Sequence, residues 1–391
     1  MKLLKHIGII IASVLIVLGI PLWCSGGLHS LFSSDPDSVS SASVILDKPS
    51  GQYYIMINKE MRRDEDTLQD WITFFLICNE GMSNTGGNAG NTMMVVAMNP
   101  NTGKIRLMMF TWDTFLDYEG YDVPQKIDMP YRNNGPEETM KVFNDNFDMG
   151  ISLYLSLNYL NLASLIDNYG GVDIDISRAE RNALNGMVAS KKQAIQAQAD
   201  AGLLSQLVVE LLADEYYLED YGPDTHLNGL QAVGYGWLQY DSVYNCCLRE
   251  VKVVANLFSQ VAKTISERVV FYTEENGYPD SVNGRRVINL DALTDEDVEF
   301  LRAEVAPIFQ MSYHNLTEED IISMTETLAR VAYAASRQGV NIFSSLEYDV
   351  FPLEATQPYE SIAGTMGHLI DKEANREAML KFMYTDKDLM E

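Results

Sequence analysis

Apolar and polar positions divide the chain sharply at its start. Lys2 and Lys5 precede an unbroken apolar run from Ile7 to Trp23, and about 17 such residues is the lower limit for a helix that crosses a bilayer. The run ends in Leu22-Trp23-Cys24, where a signal peptide would carry a small-x-small cleavage site. Basic residues before the run and acidic Asp35 and Asp37 after it place the N-terminus in the cytoplasm. The pattern predicts a cytoplasmic tail over 1–6, a transmembrane helix over 7–24, a Ser-, Gly- and Asp-rich linker over 25–50 and one extracellular domain over 51–391. A cleaved secretory signal is the alternative.

Within the domain the hydrophobic period changes repeatedly. Tyr53–Asn58 is β-prone, and Asp64–Trp71 reads as helix. Ile72–Asn79 is apolar at both alternations, as a strand buried on two faces requires. A Gly/Asn-rich loop, Glu80–Asn91, leads to strands at Thr92–Met98 and Lys104–Phe110. The turn residues Asn99 to Gly103 join these strands as a hairpin. Pro136 with Glu137 and Glu138 opens a helix to Phe147. Leu153–Asn158, Leu160–Tyr169 and Val172–Ile176 read as strand, helix and strand, a unit that predicts neighbouring parallel strands. Arg178–Glu219 reads as helix. Its apolar stripe, Leu203, Leu204, Leu207, Val208, Leu211 and Leu212, packs on the sheet or lines a lipid groove. Further helices are predicted at Leu227–Leu238, Leu248–Ser266, Thr294–Phe309 and Thr317–Ser336. Strands at Glu347–Phe351 and Ser361–Ile370 precede a last helix, Lys372–Tyr384. Alternating types without an internal repeat predict one α/β domain with helices on both faces of a mixed sheet.

Charge narrows the partners. The 391 residues carry 28 Lys+Arg against 55 Asp+Glu, a formal net charge of -27. That argues against nucleic acid, whose phosphates need clustered cations, and against tight docking to anionic headgroups. Cys24, Cys78, Cys246 and Cys247 are too few for a disulfide scaffold and form no C-x-x-C pair. Scattered His6, His29, His226, His314 and His368 give no zinc pattern.

Five segments resemble, in order, the LytR-CpsA-Psr family of envelope proteins. Asn91–Leu116 (NTMMVVAMNPNTGKIRLMMFTWDTFL) is similar to the family's hairpin, and Gln125–Phe147 to the segment that follows. Ile151–Ser177, with Gly170-Gly171-Val172, resembles its strand–helix–strand unit. His226–Tyr235 (HLNGLQAVGY) resembles a helix of pattern L-x-G-x-Q-A-L-x-Y, and Asp371–Asp386 the C-terminal helix. The segment 178–224 matches poorly and is read as a divergent helical insertion. The resemblance implies an α/β/α sandwich. It also implies transfer of a glycopolymer from a polyprenyl-pyrophosphate carrier to a cell-wall acceptor. Arginine forks and Mg²⁺ would carry the pyrophosphate charge.

Most charged positions of that pattern are substituted in this chain. Ala89-Gly90-Asn91-Thr92 stands where the family has R-S-D-T, and Asn79 where an acid ends the preceding strand. Trp112 replaces the Arg of I-P-R-D-T, while Asp113 and Thr114 remain. Trp237 and Gln239 replace the arginines after Tyr235. In R-x-x-R-Q the first Arg is Cys246, Arg249 survives, and Glu250 replaces the Gln. Arg249 and Asp113 are therefore the candidate catalytic remnants. Asn79, Ala89, Asn91, Trp112, Trp237, Gln239, Cys246 and Glu250 are the expected cleft lining.

Amides at Asn79 and Asn91 remove two charges that would hold Mg²⁺. No cofactor or metal is therefore expected, with Glu80 and Glu250 the candidates for a relocated site. Trp112 and Trp237 either fill the cleft as core or offer a platform to a sugar ring. The loop 86–90 either presents backbone N–H groups to an anion or is a plain connection. Cys246 and Cys247 read as inert buried thiols, with a Cys78–Cys246 disulfide conceivable across the cleft. Arg249 is either the last anion contact or half of a local salt bridge. The function expected is that of a membrane-anchored extracellular protein of cell-wall glycopolymer assembly, impaired in phosphotransfer. It would bind glycan, polyprenyl lipid or an envelope protein. The alternative is an active divergent phosphotransferase whose cations come from elsewhere, for instance Arg132 or Arg106.

Overall fold

The computed structural model describes residues 71–79, 90–147, 149–201, 217–337, 346–352, 359–362 and 364–384. The tail, span and linker expected from the sequence lie outside them. So do the strand at 53–58, the helix before Trp71, the loop 80–89 and the apolar stripe at 203–212. Among the described residues no helix is long and apolar enough to cross a membrane.

The elements run β1 (Ile72–Asn79), β2 (Gly90–Met98), β3 (Ile105–Phe110), β4 (Thr114–Leu116), β5 (Gln125–Lys126), α1 (Met129–Asn134), α2 (Pro136–Phe147), β6 (Tyr154–Asn158), α3 (Tyr159–Asn168) and β7 (Val172–Ile176). They continue as α4 (Arg178–Asp200), β8 (Gly222–Leu227), α5 (Gly229–Gly236), α6 (Val243–Arg268), β9 (Val269–Tyr272), β10 (Arg286–Asn289), α7 (Asp295–Met311), β11 (Tyr313–His314) and α8 (Glu318–Arg337). Last come β12 (Leu346–Phe351), β13 (Tyr359–Ile362), β14 (Thr365–Leu369) and α9 (Lys372–Tyr384).

The central sheet has the order β11-β6-β1-β2-β3-β12. β1 is parallel to β6 and antiparallel to β2, and β3 is parallel to β12, so the sheet is mixed. Because side chains alternate along a strand, the apolar β1 feeds two cores. Phe74, Leu76 and Cys78 join the core beneath α3, α5, α6, α7 and α8. Phe75 and Ile77 join the other, with Tyr131 of α1, Phe143 of α2 and Met379 of α9. The rings of Phe75 and Phe110 lie 4.6 and 4.7 Å from that of Phe143. Helices on both faces make the sandwich that the pattern predicts.

Three expectations fail. β6 and β7 do not share a sheet: β6 pairs with β1, while β7 pairs antiparallel with β8 in a separate two-stranded sheet. Helix α4 stops at Asp200, and Tyr217–Asp220 is irregular chain leading to β8. The strand at Ser361–Ile370 is instead the end of a hairpin, β13–β14, turning around Gly364 at φ +82. Close packing replaces propensity at Gly229, where a Cβ would lie 1.9 Å from the Ala163 carbonyl oxygen. Only glycine lets α5 approach the backbone of α3 in this way.

Reciprocal caps fix the helix starts. Thr294 accepts from the Asp297 backbone N–H, and the Asp297 carboxylate accepts from Thr294 N–H and Oγ1. Thr294→Ala should lower stability by about 1 kcal/mol. Urea unfolding would check this; a variant indistinguishable from wild type would show the box to be idle.

Candidate functional site

Strand ends and a helix start meet at one place. β1 ends at Asn79, β2 begins beside it, β3 ends just before Trp112, and the first turns of α6 carry Cys246, Cys247, Arg249 and Glu250. Ser242 caps α6 by accepting from the Asn245 N–H. Cys247 faces the core of the sheet, and Cys246 and Glu250 lie one turn apart on the same side of the helix.

Glu250 is the centre of the cluster and is 5% exposed. Thr92 Oγ1 donates to its Oε2, and the Cys246 thiol lies 3.8 Å from its Oε1. The Tyr159 hydroxyl is 3.4 Å from Thr92 Oγ1. Cys246 also donates to the Gly236 carbonyl at 3.4 Å. Cys78, Cys246 and Cys247 are buried free thiols. Burial first, and the Glu250 carboxylate second, push all three well above the ordinary thiol range. They are neutral, inert groups, and no disulfide joins Cys78 to Cys246.

Arg249 sits on the same turn but is committed elsewhere. Its Nη1 and Nη2 donate to the two Asp241 carboxylate oxygens at 3.0 and 2.7 Å, and Nη2 also meets the Leu238 carbonyl. Tyr240 stacks on its guanidinium at 5.0 Å. This is the local salt bridge, although the buried Nε has no acceptor among the described residues. Asp113 is 2% exposed. Its Oδ2 is 3.8 Å from His368 Nε2, and its Oδ1 has no hydrogen-bond partner among the described residues.

Trp112 and Trp237 are half-buried against the core. The Trp237 ring meets Tyr159 edge-on at 3.8 Å between centroids, and its buried indole N–H has no acceptor among the described residues. Asn79 is fully buried and donates to the Tyr131 hydroxyl at 2.8 Å and to the Leu157 carbonyl at 3.2 Å. Gln239 is exposed on the loop before α6. Ala89 lies outside the described residues, as does the side chain of Asn91.

The structure therefore brings together Asp113, Trp112, Trp237, Cys246 and Glu250, and holds Arg249 at their edge. Neither alternative arginine joins them. Arg132 pairs with Asp128 within α1, and Arg106 is buried between Glu347 and the Trp71 ring. Thr92, Tyr159, Asp241 and His368 were missed from the sequence. Asp241 alone carried a signal, as an acid just before the Ser242 cap and eight positions ahead of Arg249. Below the cluster, an apolar cavity of about 50 Å³ lies between β1, β6 and the helices, lined by Leu76, Leu157, Leu162, Leu257, Phe309 and others.

Known proteins share this frame. The crystal structure of TagV from B. subtilis matches with a TM-score of 0.51, covering 81% of this chain and 99% of that one at 12% identity. That is a likeness of fold. The polyisoprenyl-teichoic acid–peptidoglycan teichoic acid transferase TagU of Halalkalibacterium halodurans is 25% identical over 125 residues. That match spans 31% of this chain and 41% of TagU, less than half of either. Residues 56–264, more than half of the chain, match the LytR_cpsA_psr family, and the chain belongs to that family.

Proposed function

We propose that this protein is a membrane-anchored member of the family that works outside the cell in glycopolymer assembly. Its cleft would bind glycan rather than perform phosphotransfer. The observation that carries the reading is the charge of the cleft. A buried carboxylate, Glu250, lies among three neutral thiols, and the one family arginine is neutralised by Asp241. A pyrophosphate there would meet negative charge in a low-dielectric setting, where repulsion is strongest.

The residues present do not suit the family's Mg²⁺. That ion wants several hard oxygen ligands in octahedral array. Asn79 brings only a neutral amide where the family pattern has an acid, and the thiols are soft ligands. Glu250 is held by Thr92 and Cys246.

A glycan fits better. Trp237 offers a buried N–H donor and Asp113 a buried acceptor, each without a partner among the described residues, and the half-buried Trp112 an apolar face. Unsatisfied buried polar groups call for a partner, and sugar hydroxyls both donate and accept. A polyprenyl chain is the weaker candidate for this cleft. The apolar cavity holds about 50 Å³, little more than the roughly 30 Å³ of one water, so the helices would have to part to admit it.

The test is tryptophan emission of the full-length protein in detergent. Cell-wall glycan fragments should shift it, and Trp237→Phe should remove most of the shift. A response that is absent, or unchanged by the substitution, would exclude glycan from this cleft. The topology has its own check: protease added to intact cells should digest everything beyond the linker, since basic Lys2 and Lys5 hold the N-terminus inside. Full protection would reverse the orientation.

A further inference from the structure

The chain holds five Asn-Gly pairs. Such a pair can react with itself, because glycine has no Cβ to shield its backbone nitrogen from the side-chain amide before it. The reaction needs a glycine N–H that is not engaged and an amide free to swing. Four pairs lack these. Gly135 N–H is bonded to the Tyr131 carbonyl at 2.9 Å, Gly229 N–H to Asp167 Oδ1 at 2.6 Å, and Gly277 N–H to the Thr273 carbonyl at 2.9 Å. Asn185 and Gly186 lie within α4, and the Asn185 amide both donates to and accepts from the Leu218 backbone.

The fifth pair, Asn283-Gly284, differs on each count. Its two residues are the centre of a turn closed by Arg285 N–H on the Val282 carbonyl at 2.8 Å, with φ of +45 and +76, as in type I′ turns. Both residues are exposed, and the space around Gly284 is open where a Cβ would stand. Gly284 N–H has no acceptor among the described residues. The bond that the Asn283 amide does make favours reaction. Ser281 Oγ donates to Asn283 Oδ1 at 3.0 Å, the oxygen on which attack at Cγ builds negative charge. Arg285 Nε donates to the Val282 carbonyl. A positive charge is thus anchored on the turn whose backbone nitrogen must ionise, and it favours the anion.

We propose that Asn283 is a self-modification site, where the chain converts its own side-chain amide to aspartate and isoaspartate through a cyclic imide. The Gly284 nitrogen gives its proton to hydroxide and bonds to Asn283 Cγ. The Cγ–Nδ2 bond breaks, and that nitrogen takes a proton from water and leaves as ammonia. Water then opens the ring at either carbonyl. One opening leaves an aspartyl residue; the other leaves an isoaspartyl residue, which lengthens the main chain by a methylene group. Either product adds a carboxylate beside Arg285, and the longer chain loosens the turn that leads into β10. Water is the only co-reactant, so the extent of conversion records the age of the molecule.

The experiment is peptide mass spectrometry of the full-length protein in detergent, incubated in mildly alkaline buffer made with heavy-oxygen water. Asn283 should take up heavy oxygen and appear in both aspartyl and isoaspartyl forms. It should convert at least about fivefold faster than any other pair, since each of those must first break a hydrogen bond. In urea-unfolded protein the five rates should draw together. Ser281→Ala should slow Asn283 about fivefold, the loss of one hydrogen bond to the developing charge. Asn283 converting no faster than the other pairs in the folded protein overturns the proposal. So does a lead that persists undiminished in urea, which would belong to the local sequence and not to the fold. An aspartyl product alone means direct hydrolysis and overturns the imide. An unchanged rate in Ser281→Ala overturns the part given to Ser281.

Discussion

Given a polyprenyl-pyrophosphate analogue, the full-length protein should form no polyprenyl monophosphate above a protein-free control. Cleaving that bond builds charge on phosphoryl oxygens, and losing one preorganised donor costs about 10²–10³ in rate. Here Trp112, Trp237, Gln239 and Cys246 stand where the family pattern carries arginine. Arg249, the survivor, is spent on Asp241 and the Leu238 carbonyl. Losses within one site do not multiply, but even their partial accumulation should bring turnover near background. The reciprocal variant is more telling. Cys246→Arg sets a guanidinium one turn from Glu250 on α6, an i,i+4 pair. Combined with Glu250→Gln, Trp112→Arg and Trp237→Arg, it should restore pyrophosphate binding, provided calorimetry shows the variant still folded. Turnover by the wild-type chain that disappears in Arg249→Ala would establish the divergent phosphotransferase instead. Phosphorus NMR of the reaction mixture distinguishes the two.

The sheet and its helices were legible because burial leaves a period in the sequence. β1 is apolar without a break from Phe74 to Cys78, which suits a strand with a core on each face, and its Phe74 and Phe75 indeed point into different cores. The helix starts were legible from Thr294 and Asp297, because capping is local chemistry. β7 was placed wrongly because a strand–helix–strand pattern says nothing of which strand lies beside which. The pairing of Asp173 and Ile174 with His226 and Thr225 depends on a segment read as helix and loop. β9 and β10 were missed because four residues each, half-buried, carry too little alternation. In the cleft, the motif named Trp112, Asp113, Trp237, Cys246 and Glu250, but it also named Gln239, which is exposed, and it did not show how the new residues would pair. That Glu250 turns to Thr92 and Cys246 while its neighbour Arg249 turns to Asp241 is decided by rotation about α6. One residue along a helix is 100° of that rotation, from 3.6 residues per turn.

The Arg249–Asp241 pair should carry the largest single stability effect outside the apolar cores. Arg249's side chain is 4% exposed and Asp241's 27%. Removing one partner of a fully buried pair costs about 3–5 kcal/mol. Water reaches Asp241, so Asp241→Asn is expected to cost about 2 kcal/mol. Adding Arg249→Met should recover most of that, because no unpaired buried cation then remains. Acidity should act through the same bond. The Arg249 hydrogen bond, ahead of other causes, holds the Asp241 carboxyl below its ordinary range. Its stabilisation is therefore complete above the unfolded value near pH ~3.9 and is lost as pH falls through the lower folded value. Urea unfolding at neutral pH should separate Asp241→Asn from wild type, and the gap should close in strong acid. If Asp241→Asn is instead as stable as wild type at neutral pH, the guanidinium is not held by this pair. Arg249 would then be available to an anion, and the case against phosphotransfer would lose its strongest support.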